Sequence, residues 1–160
     1  MTIRRFTPAD QPGVLDLILT IQRDEYGIAI TAQDQPDLSN IPAFYQNGTG
    51  DFWVAQDNGA LVGTIALKDI GSGQAALRKM FVAASHRGRT VGVAQALLDR
   101  LKADARDRSV RQLWLGTTDR FLAAHRFYEK NGFGLVAAEN LPAQFPRMAV
   151  DSRFYGLSLG

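Results

Sequence analysis

Short apolar runs alternate with turn residues through the first half of the chain, a pattern typical of β-strands. The alternation predicts a strand over 3–6, a pair of strands over 52–55 and 61–67, and a fourth strand over 75–82. Asn58 and Gly59 fall between the paired strands, and this dipeptide favours a tight hairpin turn. Four strands therefore precede the longest helical pattern, three of them in antiparallel succession.

The first stretch in which apolar residues recur at helical spacing follows Thr7 and Pro8. Threonine is a favoured N-cap residue, and proline is favoured at the first helical position. One face of this helix is apolar, and the helix is expected to stop near Tyr26 and Gly27. The apolar residues on that face are Val14, Leu17, Ile18 and Ile21. Residues 28–50 are irregular and predict one short helix, packed loosely on the sheet.

The longest helical pattern lies near the middle of the chain, and a strand over 111–117 follows it. Its apolar face consists of Ala94, Leu97, Leu98, Leu101 and Ala105. A strand, a helix and a second strand in this order imply a right-handed parallel crossover, and ligands favour the crevice at the carboxyl ends of such strands. A later helix is predicted to begin at Thr118 or Asp119 and to end at Asn131–Gly132, before a last strand over 154–159.

Composition narrows the class of protein. The 160 residues are 46% hydrophobic and 21% charged, which suits one domain over 1–160. The chain has no cysteine, so it has neither a disulfide framework nor a thiolate metal site. No apolar run approaches a membrane span, and the first residues lack a signal-peptide core, so we expect a cytoplasmic protein with no membrane partner. A net charge of +2 argues against a nucleic-acid partner.

The stretch from Phe81 to Leu98 carries the strongest chemical signal. An apolar strand ends at Val82, and a turn rich in glycine and arginine leads directly into the central helix. Gly88 and Gly92 can adopt backbone angles that are closed to other residues. The free N–H groups of the first helical turn then face an anion, and Arg87 and Arg89 can pair with phosphate oxygens. The stretch therefore predicts a phosphate-binding loop.

The spacing excludes a P-loop and a three-glycine dinucleotide loop. Arg89, Gly92 and Ala94 instead form an Arg-x-x-Gly-x-Ala pattern ahead of a leucine pair. This pattern resembles the signature with which GNAT-superfamily N-acetyltransferases grip the pyrophosphate of acetyl-CoA. A second register, which starts at Arg87, also resembles the family loop but places Thr90 where a glycine belongs. The resemblance implies that the cosubstrate acetyl-CoA contacts Phe81, Val82, Arg87, Gly88, Arg89, Thr90, Val91, Gly92, Val93 and Ala94.

A second motif strengthens the resemblance. Ala124, Tyr128-Glu129-Lys130 and Gly132-Phe133 match the family pattern Ala-x-x-x-Tyr-Glu-Lys-x-Gly-Phe. Together the two motifs imply the single-domain GNAT fold in the α/β (α+β) class. That fold has a mixed sheet of about six or seven strands, about four helices and a parallel strand pair splayed around the CoA site. Phe121 departs from the family, because many members carry an asparagine there that touches the cofactor.

The resemblance also implies a mechanism. Tyr128 matches the tyrosine that in many members protonates the departing CoA thiolate, and a phenol stays protonated at neutral pH. Periodicity alone favours a core aromatic on an amphipathic helix at Tyr128, whereas the flanking motif favours the general acid. Glu25, Asp119 and His125 are the candidate general bases, with none preferred, and His125 also fits a hydrogen-bonded structural histidine. No metal is expected.

The acceptor is expected to be a small-molecule amine or a protein amine. Glu25 and Tyr26 are predicted to bind it, and Asp34 and Asp37 also suit a positively charged amine. For each of the three acids, a solvated surface position fits the sequence at least as well. Family members often pair as homodimers. Two alternatives stay open, a non-catalytic CoA-binding or interaction module with the same fold and an enzyme that acetylates aminoacyl-tRNA.

Overall fold

A mixed sheet forms the centre of the protein in the computed structural model, which describes residues 1–88, 92–119 and 121–160. The strands are β1 (Thr2–Arg5), β2 (Asp51–Asp57), β3 (Ala60–Gly71), β4 (Gln74–Val82), β5 (Gln112–Thr117), β6 (Gly134–Val136) and β7 (Arg153–Ser158). Their order across the sheet is β1-β2-β3-β4-β5-β7-β6. Every neighbouring pair is antiparallel except β4 and β5. The predicted mixed sheet with one parallel pair is confirmed, although four N-terminal strands rather than three are antiparallel in succession.

Helices cover both faces of this sheet. They are α1 (Gln11–Thr20), α2 (Pro36–Ser39), α3 (Ile41–Phe44), α4 (Val93–Asp107) and α5 (Leu122–Lys130). A 3-10 turn over Pro8–Asp10 leads into α1, and a π-helical turn over Ile21–Glu25 extends it to the predicted end at Tyr26. Within the described ranges, no helix has both the length and the apolar character needed to cross a membrane.

Alternate residues of β2 point to opposite faces of the sheet, and this alternation divides the core in two. Phe52 and Val54 pack with α1 and the short helices on one face. Trp53 and Ala55 pack with α4 and α5 on the other. A glycine, Gly63, lies where α4 crosses β3, and a Cβ atom there would come within 3.0 Å of side-chain atoms of α4. The sequence therefore lets α4 lie directly on the sheet, which fixes where the helix begins.

The segment over 28–50 differs from the prediction. It forms two one-turn helices instead of one, and Leu38, Ile41 and Tyr45 are completely buried rather than loosely packed. A proline inside a continuous helix would remove a backbone hydrogen bond, so the chain restarts ahead of Pro42. The Asn40 side chain caps the new turn by accepting the Ala43 N–H at 3.3 Å.

The start of α5 also differs. The helix begins at Leu122, with Phe121 as its N-cap residue, rather than after Thr118 or Asp119. The Asp119 N–H donates to the Ser152 hydroxyl at 3.0 Å, and this hydrogen bond ties the segment to the residue directly before β7. The predicted end is confirmed, because Asn131 is the C-cap residue and Gly132 has a left-handed φ of 90°.

Candidate active site

The parallel strands β4 and β5 separate after a short ladder. Their register pairs Gln74 with Gln112, Ala75 with Leu113 and Ala76 with Trp114, and the described ladder ends there. A cavity of about 1090 Å³ opens where the strands part. Its walls come from β4, β5, the π-helical turn, the start of α5 and the loop before β7. The crevice thus lies at the carboxyl ends of the parallel pair, where the crossover predicts a ligand.

A bulge bends β4 at the mouth of this cavity. Pairing with β3 passes from Ala66–Arg78 to Thr64–Phe81, so two residues of β4 face one of β3. Lys79 has a φ of 54° there, which is uncommon for a residue with a side chain. The Thr64 hydroxyl donates to the Lys79 carbonyl oxygen at 2.7 Å and holds the bulge in place. The main chain of β4 is therefore turned at the place where the strands diverge.

The predicted phosphate loop connects β4 to α4. Phe81 and Val82 are half-buried at the end of β4, and the Arg87 Nε donates to the Val82 carbonyl oxygen at 2.9 Å. Gly88 and Gly92 have left-handed φ angles of 100° and 72°, and Gly92 is the N-cap residue of α4. Val93 and Ala94 form the first turn of the helix. The predicted residues Arg89, Thr90 and Val91 lie outside the described residues.

One ion pair and one hydrogen-bond contact hold the described part of this loop. Arg87 pairs with Glu25 of the π-helical turn. The His86 Nε2 lies 2.9 Å from the Asp57 carboxylate, which belongs to the hairpin between β2 and β3. Glu25, a predicted acceptor-binding residue and candidate base, therefore has a cationic partner in this structure. The loop is thus anchored on two sides.

The surroundings of Tyr128 fit both of its predicted roles, the core aromatic and the general acid. Its side chain is 6% exposed and packs against the rings of Phe127, Phe133 and Tyr155. Yet Tyr128 also lines the cavity, and in the described part of the chain its hydroxyl makes no hydrogen bond. Burial raises the pKa of Tyr128 above its ordinary value, and the neighbouring Tyr26 adds to the rise. The phenol is therefore protonated throughout the neutral range.

Tyr26 and Phe121 both line the cavity, and their rings pack against each other with centroids 4.4 Å apart. Tyr26 thus lies where the sequence predicts an acceptor-binding residue, and Phe121 places an aromatic ring where many family members have an asparagine. His125 is buried, and its Nε2 lies 2.7 Å from the Thr118 carbonyl oxygen. This contact fits the structural interpretation of His125 rather than a catalytic base. Asp119 lines the cavity.

A buried polar network at the wall of the cavity, centred on Lys79, has no counterpart in the sequence-based predictions. The Lys79 Nζ donates to the Gln35 Oε1 at 2.9 Å and lies 3.4 Å from the Asp37 carboxylate, which also accepts the Tyr45 hydroxyl at 2.5 Å. Burial lowers the pKa of Lys79, the charge of Arg78 lowers it further, and Asp37 opposes both. Asp37 therefore forms an ion pair with an internal lysine and does not face an acceptor amine. Asp34, the other predicted acid, caps the turn that begins at Thr31.

Sequence reasoning also missed Arg78 and Asp151, which line the same cavity from β4 and from the loop before β7. Arg78 follows an apolar run and belongs to no motif. Asp151 lies in a segment with neither periodicity nor a motif. Only the folded chain brings the two side chains to one cavity.

Comparison with known proteins gives the same picture as the geometry. The sequence pattern of the Acetyltransferase (GNAT) family matches residues 15–133. N-acetyltransferase family 8 member 2 of Rattus norvegicus is 35% identical over 104 residues, which are 62% of this chain and 45% of that protein. N-acetylaspartate synthetase of Danio rerio is 37% identical over 102 residues, 62% of this chain and 36% of that protein. The chain thus spans less than half the length of these curated relatives.

Solved structures match over the whole chain. An acetyltransferase of the GNAT family from Staphylococcus aureus Mu50 superposes with a TM-score of 0.94 at 36% identity, covering 99% of both chains. The PaiA N-acetyltransferase from Thermoplasma acidophilum, solved in complex with coenzyme A, has a TM-score of 0.74 at 14% identity and covers 98% of both chains. At that identity the second likeness concerns the fold alone.

Proposed function

Since the chain belongs to the GNAT acetyltransferase family, we propose that it is an N-acetyltransferase that moves the acetyl group of acetyl-CoA directly to a primary amine. The observation that carries the proposal is the Tyr128 hydroxyl, which lines the cavity between the splayed strands without a hydrogen-bond partner among the described residues. The hydroxyl is open to the cavity rather than sealed in the core, so a ligand atom is its expected partner. The name of the Danio rerio relative supports amino acids as one class of acceptor.

The residues around the cavity fit coenzyme A. The main chain at Phe81 and Val82 would follow the pantetheine arm along the open edge of β4. Backbone N–H groups from Gly88 to Ala94 and the side chains of Arg87 and Arg89 would hold the pyrophosphate at the start of α4. A main-chain N–H of the bulged part of β4 would stabilise the oxyanion.

The Tyr128 phenol would protonate the departing sulfur. The amine nitrogen forms a bond to the thioester carbon, the carbon–sulfur bond breaks, and the sulfur takes the proton from Tyr128. The attacking nitrogen loses a proton as the amide forms, and that proton restores the phenol. The phenol is protonated at neutral pH, before negative charge develops on the sulfur, which is the state a general acid needs.

The experiment compares Tyr128→Phe with Tyr155→Phe. The Tyr155 ring packs 6.1 Å from that of Tyr128, but its hydroxyl donates to the Glu129 carboxylate at 2.6 Å. Removing the Tyr128 hydroxyl should lower kcat about 100-fold while the dissociation constant of coenzyme A, measured by calorimetry, changes less than about twofold. Tyr155→Phe should leave kcat within a few-fold.

Equal losses in both variants would count against Tyr128 as the acid. Coenzyme A binding without acetylation of any amine would favour the non-catalytic module.

A further inference from the structure

Arg78 has unused hydrogen-bond donors in the cavity. Its half-buried side chain contacts the Met148 sulfur at 3.4 Å and lies 5.8 Å from the centre of the Phe44 ring, and it has no carboxylate partner within the described residues. Six other arginines there do pair with carboxylates, namely Arg4, Arg5, Arg87, Arg100, Arg108 and Arg153. A guanidinium has five N–H donors that match a carboxylate in forked geometry. Arg78 is therefore suited to bind an anion that enters the cavity.

Asp151 supplies the opposite charge. Its Oδ2 accepts the Met148 N–H at 2.9 Å, and its Oδ1 has no partner within the described residues. The carboxylate fits against β5 because residue 116 is glycine, where a Cβ atom would lie 2.6 Å from the Oδ2. Burial raises the pKa of Asp151, while Arg78 on β4 and Arg147 on its own loop oppose the rise. Asp151 is thus a more basic carboxylate than one in water, and it faces the cavity.

The charged side chains of Arg78 and Asp151 are both anchored on one residue without forming an ion pair. Arg78 and Asp151 both contact Met148, one through its sulfur and the other through its backbone N–H, yet they form no ion pair with each other. A ligand with an anionic and a cationic group a short distance apart would engage both side chains. Lys79, the next residue, also lines the cavity but cannot replace Arg78, because its ammonium is already paired with Asp37.

We infer, on the basis of the proposed function, that the acceptor is a free amino acid, with its carboxylate on Arg78 and its ammonium on Asp151. Asp151 takes one proton from the ammonium and releases it to water. The resulting amine attacks the thioester carbon, and its second departing proton leaves with the sulfur by way of Tyr128. Each turnover therefore yields one amide, one thiol and one proton in solution.

The first experiment uses pairs of acceptors that differ only in the carboxylate. Each natural amino acid is assayed for thiol release, and the best is compared with its decarboxylated amine. Arg78→Met should lower kcat/KM for the amino acid by about 10-fold or more, the effect of losing a charged hydrogen-bonded pair. The same variant should change kcat/KM for the decarboxylated amine less than about threefold.

Arg147→Met is the matched control. Arg147 also places positive charge near Asp151, but it is exposed and packs over the Phe154 ring, 5.0 Å from its centre, outside the cavity. This variant should leave both acceptors within about threefold of wild type. If Arg78→Met and Arg147→Met lower kcat/KM by the same factor, and only for the amino acid, the effect is a general one of charge and the assignment of Arg78 is overturned.

The role of Asp151 has its own signature. Asp151→Asn should lower kcat/KM for the amino acid most at neutral pH, and the deficit should shrink as the pH approaches the amine pKa, where the acceptor loses its proton unaided. A merely structural loss would be the same at all pH values and would overturn the role as base.

Binding gives a readout that does not depend on turnover. Calorimetry with the N-acetylated amino acid and protein saturated with coenzyme A should show binding to wild type and to Arg147→Met but not to Arg78→Met. If amines are acetylated but carboxylate-free amines or lysine-containing peptides are preferred, the inference fails and the proposed function stands. If no amine is acetylated, the proposed function fails and the inference with it.

Discussion

Lys79, which lines the cavity, and Asp37 form an ion pair 3.4 Å long, and each side chain is only 8% exposed. Lys79 also stands in the β4 bulge with a left-handed φ, while Asp37 lies in the one-turn helix α2. The pair therefore fastens the irregular segment before β2 to the strand that shapes the cavity. Strained backbone of this kind persists when surrounding contacts determine it, and this pair is one of those contacts.

Replacing Asp37 should destabilise the protein severely. Asp37→Ala leaves the Lys79 ammonium buried without its counter-ion and removes the acceptor of the Tyr45 hydroxyl, and a broken buried pair costs about 3 to 5 kcal/mol. Urea unfolding measures the loss of free energy. Asp34→Ala is the control, because Asp34 is exposed and caps one turn, so its loss should be much smaller. Similar losses in the two variants would show that the buried pair is energetically unimportant.

A methyl group at residue 63 should displace the start of α4 and thereby disturb the predicted phosphate loop. In Gly63→Ala the new Cβ would lie 2.9 Å from a Leu97 methyl carbon and 3.0 Å from one of Val93, the first residue of α4. Overpacking of this kind costs about 1 to 3 kcal/mol, and moving the helix start should also weaken coenzyme A binding. Urea unfolding and calorimetry measure the two effects. Gly134→Ala, where the Cβ meets open space, should change neither; an unchanged Gly63→Ala protein would contradict the role of this close contact.

Glu25 should compete with phosphate for Arg87. The two side chains form an ion pair, and a coenzyme A phosphate at the loop would have to take its place. Glu25→Gln should therefore tighten coenzyme A binding by a factor of about 1.5 to 5, the range of a partly exposed ion pair, and Arg87→Met should weaken it. Calorimetry at two salt concentrations measures both. Glu129→Gln, which alters a distant carboxylate paired with Arg153, should have no effect, and weaker binding in Glu25→Gln would rule out the competition.

Local patterns were enough to predict the framework. The β2–β3 hairpin turns at Asn58 and Gly59, both with positive φ, as the dipeptide indicates, and the loop after Val82 leads into α4 at Gly92. The start of α5 was predicted wrongly because a contact distant in sequence decides it. The Asp119 N–H is taken by Ser152, a partner that no local pattern reveals.

The interior of the cavity was beyond sequence reasoning for the same reason. Arg78 and Asp151 are 73 positions apart, and neither belongs to a motif. The sequence suggests Asp37 as an acid suited to a positively charged amine, but the fold buries it against Lys79. Motifs are local in sequence, whereas the wall of the cavity is assembled from separate strands and loops by tertiary packing.

The capping site before α1 predicts how stability depends on pH. Asp10 accepts both Arg4 Nη groups at 2.7 and 2.8 Å and the Thr7 N–H at 2.9 Å. The hydrogen bonds from Arg4, and then that from Thr7, hold the pKa of Asp10 below its ordinary value, against the effect of burial. Because the folded pKa lies below the unfolded one, this stabilisation is complete above about pH 4 and is lost as the pH falls through the folded pKa.

Asp10→Asn should therefore lower the free energy of unfolding by about 1.5 to 3 kcal/mol at pH 7, with the gap to wild type closing in acid. Urea titrations from pH 7 downward measure the gap, with Asp16→Asn, at an exposed position of α1, as the control that should differ little from wild type at any pH. A gap between wild type and Asp10→Asn that stays constant with pH would mean that the carboxylate charge contributes nothing to this cap.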